Sequence, residues 1–203
     1  MNINVYDFDK TIYDGDSSID FYLYCMKLNK KIIFRIPSFL FSFFCYKLKG
    51  TSKEKMKENY FSFLNDIDDI DGKVKDFWTK NKKKIKGFYL NKDHSNDIII
   101  SASPYFLLKD ICDDLRVKDL IATDVDKNNG KFLGKNCYGE EKVIRLKNEY
   151  NDFKISKFYT DNLSDLPLIE LSDITYIVKK NKIVKYDKKG CDKNGWKSDE
   201  SII

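Results

Sequence analysis

The stretch Asp7-Phe8-Asp9-Lys10-Thr11 follows directly on a short apolar run, Ile3-Asn4-Val5-Tyr6. In a strand, residues i and i+2 share a face. A strand ending near Tyr6 puts both carboxylates where the backbone leaves the sheet, the edge at which open α/β sheets keep their ligands. Two acids held this close need a reason, such as a metal ion or a shared proton. The pair therefore points to phosphoryl-transfer chemistry and asks the rest of the chain for the parts such a site lacks.

Outward from this stretch, strand-like and helix-like segments alternate, which favours an α/β fold. The spacing predicts a helix over 17–28. Thr51-Ser52-Lys53-Glu54 has the form of a capping box with Thr51 as N-cap, opening a helix to about Leu64. A second helix is expected over 73–90 and a buried strand over 97–100. Pro104 suits the first turn of a helix running to about Leu115. Strands follow at 120–123, 155–160 and 175–178, with helices at 138–150 and 166–171. Asn128-Asn129-Gly130 marks the turn of a small hairpin over 123–133. The tail from Asp187 reads as polar and partly disordered. Residues 1–13 and 95–203 form one α/β core in this reading, and 14–94 a helical insertion after the first strand.

Composition narrows the class. With 203 residues and 42% hydrophobic content, the chain can bury a core, and 15% aromatics set it apart from disordered chains of equal charge. The net charge of +5 is too weak a bias to imply nucleic acid. The five cysteines, Cys25, Cys45, Cys112, Cys137 and Cys191, are scattered without a CxxC pair, which speaks against zinc and for reduced thiols in a cytoplasm. The first residues lack a basic, apolar leader, so the N-terminus is expected to be mature and buried in the sheet.

Four motifs fall in order at successive expected strand ends: DFDKT at 7–11, IIISASP at 98–104, GEEKVIRL at 139–146 and TDNLSDLPL at 160–168. The ordered set resembles the haloacid dehalogenase superfamily of phosphatases, and within it the phosphoserine-phosphatase-like group. The resemblance implies a Rossmann-like parallel sheet with helices on both faces and a helical cap inserted after the first strand. It also implies a Mg²⁺-dependent phosphomonoester hydrolase working through an aspartyl-phosphate. Asp7 is the expected nucleophile, since attack by a carboxylate splits one hard step into two. Asp9 is the expected general acid/base. The metal ligands implied are an Asp7 oxygen, the Asp9 carbonyl and Asp161, with Asp165 supporting the site and pairing with Lys142.

Ser101 and the Ala102 amide are expected to bind phosphate at the start of a helix. Lys142 is expected to clamp the transferring group; choosing it over Lys147 rests on the GEEK resemblance alone. Thr11 is assigned to bracing the loop and to the phosphate site. Asp16 stands where phosphoserine phosphatases hold a substrate-contacting Glu; an N-cap for the helix beginning at Ser17 is the alternative. Ser164 replaces an Asn common in the fourth motif. Ser103 reads as a helix N-cap, and His94 as a solvated loop residue.

The run Ile32–Leu48 is strongly apolar, and residues 27–57 carry nine Lys/Arg against one acid, Glu54. Arg35 and Pro37 make it a poor membrane span. It reads either as the core of the cap or as an interfacial helix touching a membrane surface. The substrate expected is a small or lipid-derived phosphate monoester. A phosphotransferase of the same fold is the alternative activity, and a membrane-peripheral lipid-phosphate phosphatase or binding protein is a further one.

Overall fold

The computed structural model describes residues 1–90, 92–180, 182–187 and the backbone of 201–202. The expected disordered tail and Cys191 lie almost wholly outside these residues. Five strands run parallel in the order β3-β2-β1-β4-β5, where β1 is Asn2–Tyr6, β2 Asp97–Pro104, β3 Asp119–Thr123, β4 Lys154–Thr160 and β5 Ser172–Lys179. Two antiparallel strands, β6 (Lys182–Tyr186) and β7 (Ser201–Ile202), extend the edge.

Alternate strand residues feed two cores. Val5, Ile98, Ile100, Ile121 and Ile155 pack with Leu146 of α7 (Glu140–Glu149) and with Leu168 and Ile169 of α8 (Leu166–Leu171). Tyr6, Ile99, Leu120 and Ala122 pack on the other face with α6 (Tyr105–Asp114). This period of two across a sheet buried on both sides produces the continuous β-branched run at 98–100.

The segment between β1 and β2 holds α1 (Ser17–Leu28), α2 (Ile36–Lys47), α3 (Lys53–Phe61), α4 (Ile70–Asn81) and α5 (Gly87–Leu90), with short 3-10 turns between them. Its core is continuous with one face of the sheet: Phe21, Phe63, Phe77 and Trp78 share a cluster with Tyr6 and Leu107. Trp78 Nε1 also donates to the Leu107 carbonyl at 2.6 Å, tying α4 to α6. At the turn of residues 128–130, Gly130 adopts φ +77°, and a Cβ there would stand 2.3 Å from the Phe61 carbonyl oxygen. Only glycine lets this turn press on the end of α3.

Several local expectations are corrected. The N-cap of α3 is Ser52, not Thr51: its hydroxyl accepts from the Lys55 amide at 3.2 Å. The helix expected over 73–90 breaks after Asn81, because Ile85 turns extended, buries its side chain and bridges to Tyr13. The small hairpin over 123–133 is present, with Val125 bridged to Phe132 between the Asp126 N to Lys131 O and Leu133 N to Asp124 O hydrogen bonds. His94 is buried, not solvated; its Nδ1 lies 2.9 Å from Asp97 Oδ2 and its ring stacks on Tyr89 at 4.1 Å. The run Ile32–Leu48 is no single helix and only partly cap core, through Ile32 and the inner face of α2, where Phe39 packs on Tyr60. Ile32 is buried in a 3-10 turn (Lys30–Arg35), while α2 buries none of its twelve residues.

Candidate active site

Strand order creates the site. β1 lies between β2 and β4, whose connections leave in opposite directions, so a crevice opens at the carboxyl ends of these strands. Asp7 is the first residue after β1, and its amide donates to the Tyr159 carbonyl at 2.9 Å. The loop then turns tightly through Lys10, a non-glycine residue at φ 61°. Lys10 N donates to the Gly15 carbonyl at 2.8 Å, and the buried Lys86 amine donates to the Lys10 carbonyl, which offsets the cost of that conformation.

A cavity of about 320 Å³ sits over these strand ends. Its floor carries Asp7, Asp9, Asp161, Asp165, Ser101 and Lys142. Lys142, in the first turn of α7, is buried; its ammonium donates to Asp7 Oδ1 at 2.8 Å and to Asp165 Oδ2 at 2.9 Å. Lys147 is exposed. Thr160 Oγ1 donates to the same Asp165 oxygen at 2.9 Å, leaving the buried Asp165 Oδ1 without a protein partner.

Burial pushes the Asp7 carboxyl up to about 7, against the opposing pull of Lys142 and with added repulsion from Asp165. Burial works the other way on Lys142, but Asp7 and Asp165 outweigh it and hold the amine above its ordinary value. Lys142 thus restrains the rise of Asp7, and Asp7 with Asp165 keeps the Lys142 amine raised. Burial also raises Asp161, with Lys10 opposing.

Asp9 has a separate environment. Its Oδ1 accepts from the Ser17 amide at 2.6 Å and its Oδ2 from the Ser103 hydroxyl at 2.5 Å. The Ser18 hydroxyl lies 3.0 Å from Ser103 Oγ, so serines from two elements hold this carboxylate. Burial, then repulsion from Asp16, lifts Asp9 to about 6, while the Ser103 and Ser17 hydrogen bonds restrain the rise. Ser103 is thus an Asp9 ligand, not a helix N-cap; the cap position of α6 is Pro104. Ser101 Oγ accepts from the Ser103 amide at 3.1 Å, which orients the hydroxyl and leaves its proton able to donate.

Asp16 is the N-cap of the alternative reading, and it also faces the cavity. Its Oδ1 caps α1 by accepting from the Ile19 amide at 3.1 Å, and the residue lines the cavity. Thr11 does not reach the cavity: it is fully buried and its hydroxyl has no hydrogen-bond partner among the described residues, so none of them receives a bracing bond.

The sequence did not single out the roof. Phe39 of α2 and Met56, Lys57, Tyr60 and Phe61 of α3 close the cavity. Lys57 Nζ donates to the Ala102 carbonyl at 3.0 Å and to Asn136 Oδ1 at 2.9 Å. Burial, then repulsion from Lys53, brings its amine down to about 8. Nothing in a Lys-rich helix marks one lysine as inward-facing, so no local signal reveals it.

The donor set suits a hard divalent cation. Four carboxylates face one lysine on the floor, and the Asp165 Oδ1 orphan is an unsatisfied acceptor. Among the described residues, no three His, Cys, Asp or Glu side chains form a closed metal cage. Magnesium does not require one, because it keeps several waters and takes only one or two carboxylates.

A mostly parallel sheet covered on both faces, with paired carboxylates at its switch point and a buried lysine from a following helix, defines a class of α/β enzymes. The chain belongs to the haloacid dehalogenase-like hydrolase family, whose model matches residues 5–170. No curated protein matches it. Among solved structures, it is similar to a protein of unknown function from Bordetella pertussis Tohama I (TM-score 0.67, 19% identity, covering 86% of this chain and 88% of that one). A phosphoserine phosphohydrolase-like protein from Francisella tularensis subsp. tularensis SCHU S4 gives TM-score 0.53 at 17% identity, covering 86% of each chain. A probable phosphoserine phosphatase from Vibrio cholerae gives TM-score 0.61 at 12% identity, covering 86% of this chain and 55% of that one. At these identities the likeness speaks for the fold.

Proposed function

We propose that the protein is a phosphomonoesterase that transfers the phosphoryl group of a small phosphate ester to Asp7 and then to water. The observation that carries this reading is the Lys142 ammonium bound to both Asp7 and Asp165 at the floor of the cavity. Asp7 Oδ1 is held by Lys142, and the carboxylate is positioned to attack phosphorus, forming an O–P bond as the ester O–P bond breaks. Lys142 screens the charge gathering on the phosphoryl oxygens. Ser101 offers a hydroxyl donor to the same oxygens.

Asp9, raised to about 6, delivers its proton to the leaving alkoxide and takes one from the water that opens the aspartyl-phosphate. Asp7, Asp161, Asp165 and the Asp9 carbonyl are the proposed holders of Mg²⁺, which when bound neutralises the repulsion between carboxylate and phosphate. Residues 14–94 act as the cap that selects the substrate, with Asp16 and Lys57 its charged groups on the cavity wall. The free cysteines Cys25, Cys45, Cys112 and Cys137 suit a reducing compartment, so we place the protein in the cytoplasm.

Hydrolysis of an aryl phosphate tests the reading. Activity is expected with Mg²⁺, with a trappable phosphoprotein that Asp7→Asn no longer forms. Full turnover by Asp7→Asn would falsify the nucleophile, and turnover after thorough chelation would remove the metal.

A further inference from the structure

We propose that the outer face of α2 docks the protein on an anionic lipid bilayer. This proposal stands apart from the catalytic reading. α2 is built of apolar residues, IPSFLFSFFCYK, yet none is buried. Phe41 is 70% exposed and Phe34, in the preceding turn, 84%. Pro37, Phe41, Phe44 and Leu48 recur at helical spacing and form one outward stripe, with Leu40 beside it. Phe39 points the other way and packs on Tyr60 at 5.1 Å between ring centroids. The helix therefore has an inner face that closes the cavity and an apolar outer face that the described residues leave uncovered.

The charges around that face choose the occupant. Lys27, Lys30, Lys31, Lys47 and Lys49 are exposed at the two ends of the stripe. None of them forms an ion pair among the described residues. Asp66, beside the turn that leads into α2, is taken by Arg35. Aromatic and Leu side chains between clusters of lysine match the boundary of a bilayer, where rings enter the acyl edge and ammonium groups meet anionic headgroups. No helix among the described residues is long and apolar enough to cross a membrane, and α2 at about 18 Å falls well short, so it lies in the interface plane. A second copy is a poor occupant: a two-fold contact through this face sets the lysines of one copy against those of the other.

Flotation of the full chain with vesicles decides the matter. Binding is expected to phosphatidylcholine vesicles containing phosphatidylserine, weakened in high salt and much weaker on phosphatidylcholine alone. Phe41→Ser with Phe44→Ser, and separately Lys47→Glu with Lys49→Glu, should each lower the partition coefficient roughly tenfold or more. Thermal melts and hydrolysis of a soluble aryl phosphate should not change, because these side chains neither pack in the core nor line the cavity. The Asp7→Asn protein should float as the natural one does, so failure of the catalytic reading leaves this result standing. The proposal is overturned if the natural protein does not float, if the substitutions leave flotation intact, or if salt and phosphatidylserine make no difference. Sedimentation showing a dimer that Phe41→Ser with Phe44→Ser dissociates, without vesicle binding, would assign the face to a second copy instead.

Discussion

The floor and the roof of the cavity are built on opposite principles. The floor is made by strand ends, and its polar groups hold one another: Lys142 to Asp7 and Asp165, Ser103 and Ser17 to Asp9. The roof comes from α2 and α3 and is mainly apolar, with Phe39, Met56, Tyr60 and Phe61 around one half-buried amine, Lys57. Where charges are paired in low dielectric, geometry is rigid and the chemistry is set. Where an amine has only neutral oxygens as partners, here the Ala102 carbonyl and Asn136, burial and the repulsion of Lys53 bring its value down to about 8. On the function proposed above, the floor carries the reaction and the roof the choice of substrate.

That contrast can be broken by experiment. Asp7→Asn should lower kcat on the order of a thousandfold or more with the fold retained, as circular dichroism would show. A loss of only a few fold would mean the floor is not the reacting surface. Lys142→Met leaves two buried carboxylates unpaired; it should remove activity and cost about 3 kcal/mol of stability in urea unfolding. An unchanged midpoint would deny the mutual support of this trio.

On the roof, Lys57→Met should raise KM for an anionic substrate about tenfold while kcat moves less. An equal fall in kcat would transfer Lys57 to the chemistry. Ser103→Ala removes a hydrogen bond that favours the Asp9 carboxylate, so the Asp9 value rises from about 6. Transfer to Asp7 from a poor leaving group needs Asp9 protonated, and its decline with rising pH should therefore move to higher pH. A shift the other way would contradict the assigned role. The smallest effect is expected at Thr11→Val, which replaces an unpartnered buried hydroxyl by a group of similar shape: activity kept, stability raised by about 1 kcal/mol. Loss of activity there would restore Thr11 to the phosphate site.

The linkage between charge and stability sharpens the same contrast. Asp7 and Asp9 have folded values raised from 3.8 to about 7 and about 6. Their contribution to stability is present below about pH 4 and is lost as pH rises through those values. Melts without divalent ions should therefore show the natural protein losing ground to Asp9→Asn between pH 4 and 8, and Mg²⁺ should recover it.

Much of the floor was legible because it is local. Asp7 and Asp9 are two residues apart after an apolar strand, and the order of motifs follows the order of strands. The roof was not legible, because nothing in LysGluLysMetLys distinguishes Lys57 from its neighbours before α3 is set down over Ala102 and Asn136. His94 misled for the same reason: a polar loop gives no hint that Asp97 and Tyr89 will bury its ring. Thr51 and Ser52 are both able caps, and the backbone, extended at Ser52, selected the second.

α2 is the clearest divergence between pattern and outcome. By hydrophobicity it outranks α4, yet α4 buries Ile70, Val74, Phe77 and Trp78 and α2 buries nothing. Burial depends on what stands opposite a face, and α4 faces α6 while the outer face of α2 faces no described residue.

The sequence by itself determined the alternation of strands and helices, the two-sided burial of the sheet and the acids at the end of β1, since each follows from periodicity and spacing along the chain. Only the tertiary structure decided that Lys57 turns inward, which serines hold Asp9 and which apolar helix stays outside. Those are contacts between residues as much as 94 positions apart, as Ser103 is from Asp9, and no local pattern encodes them.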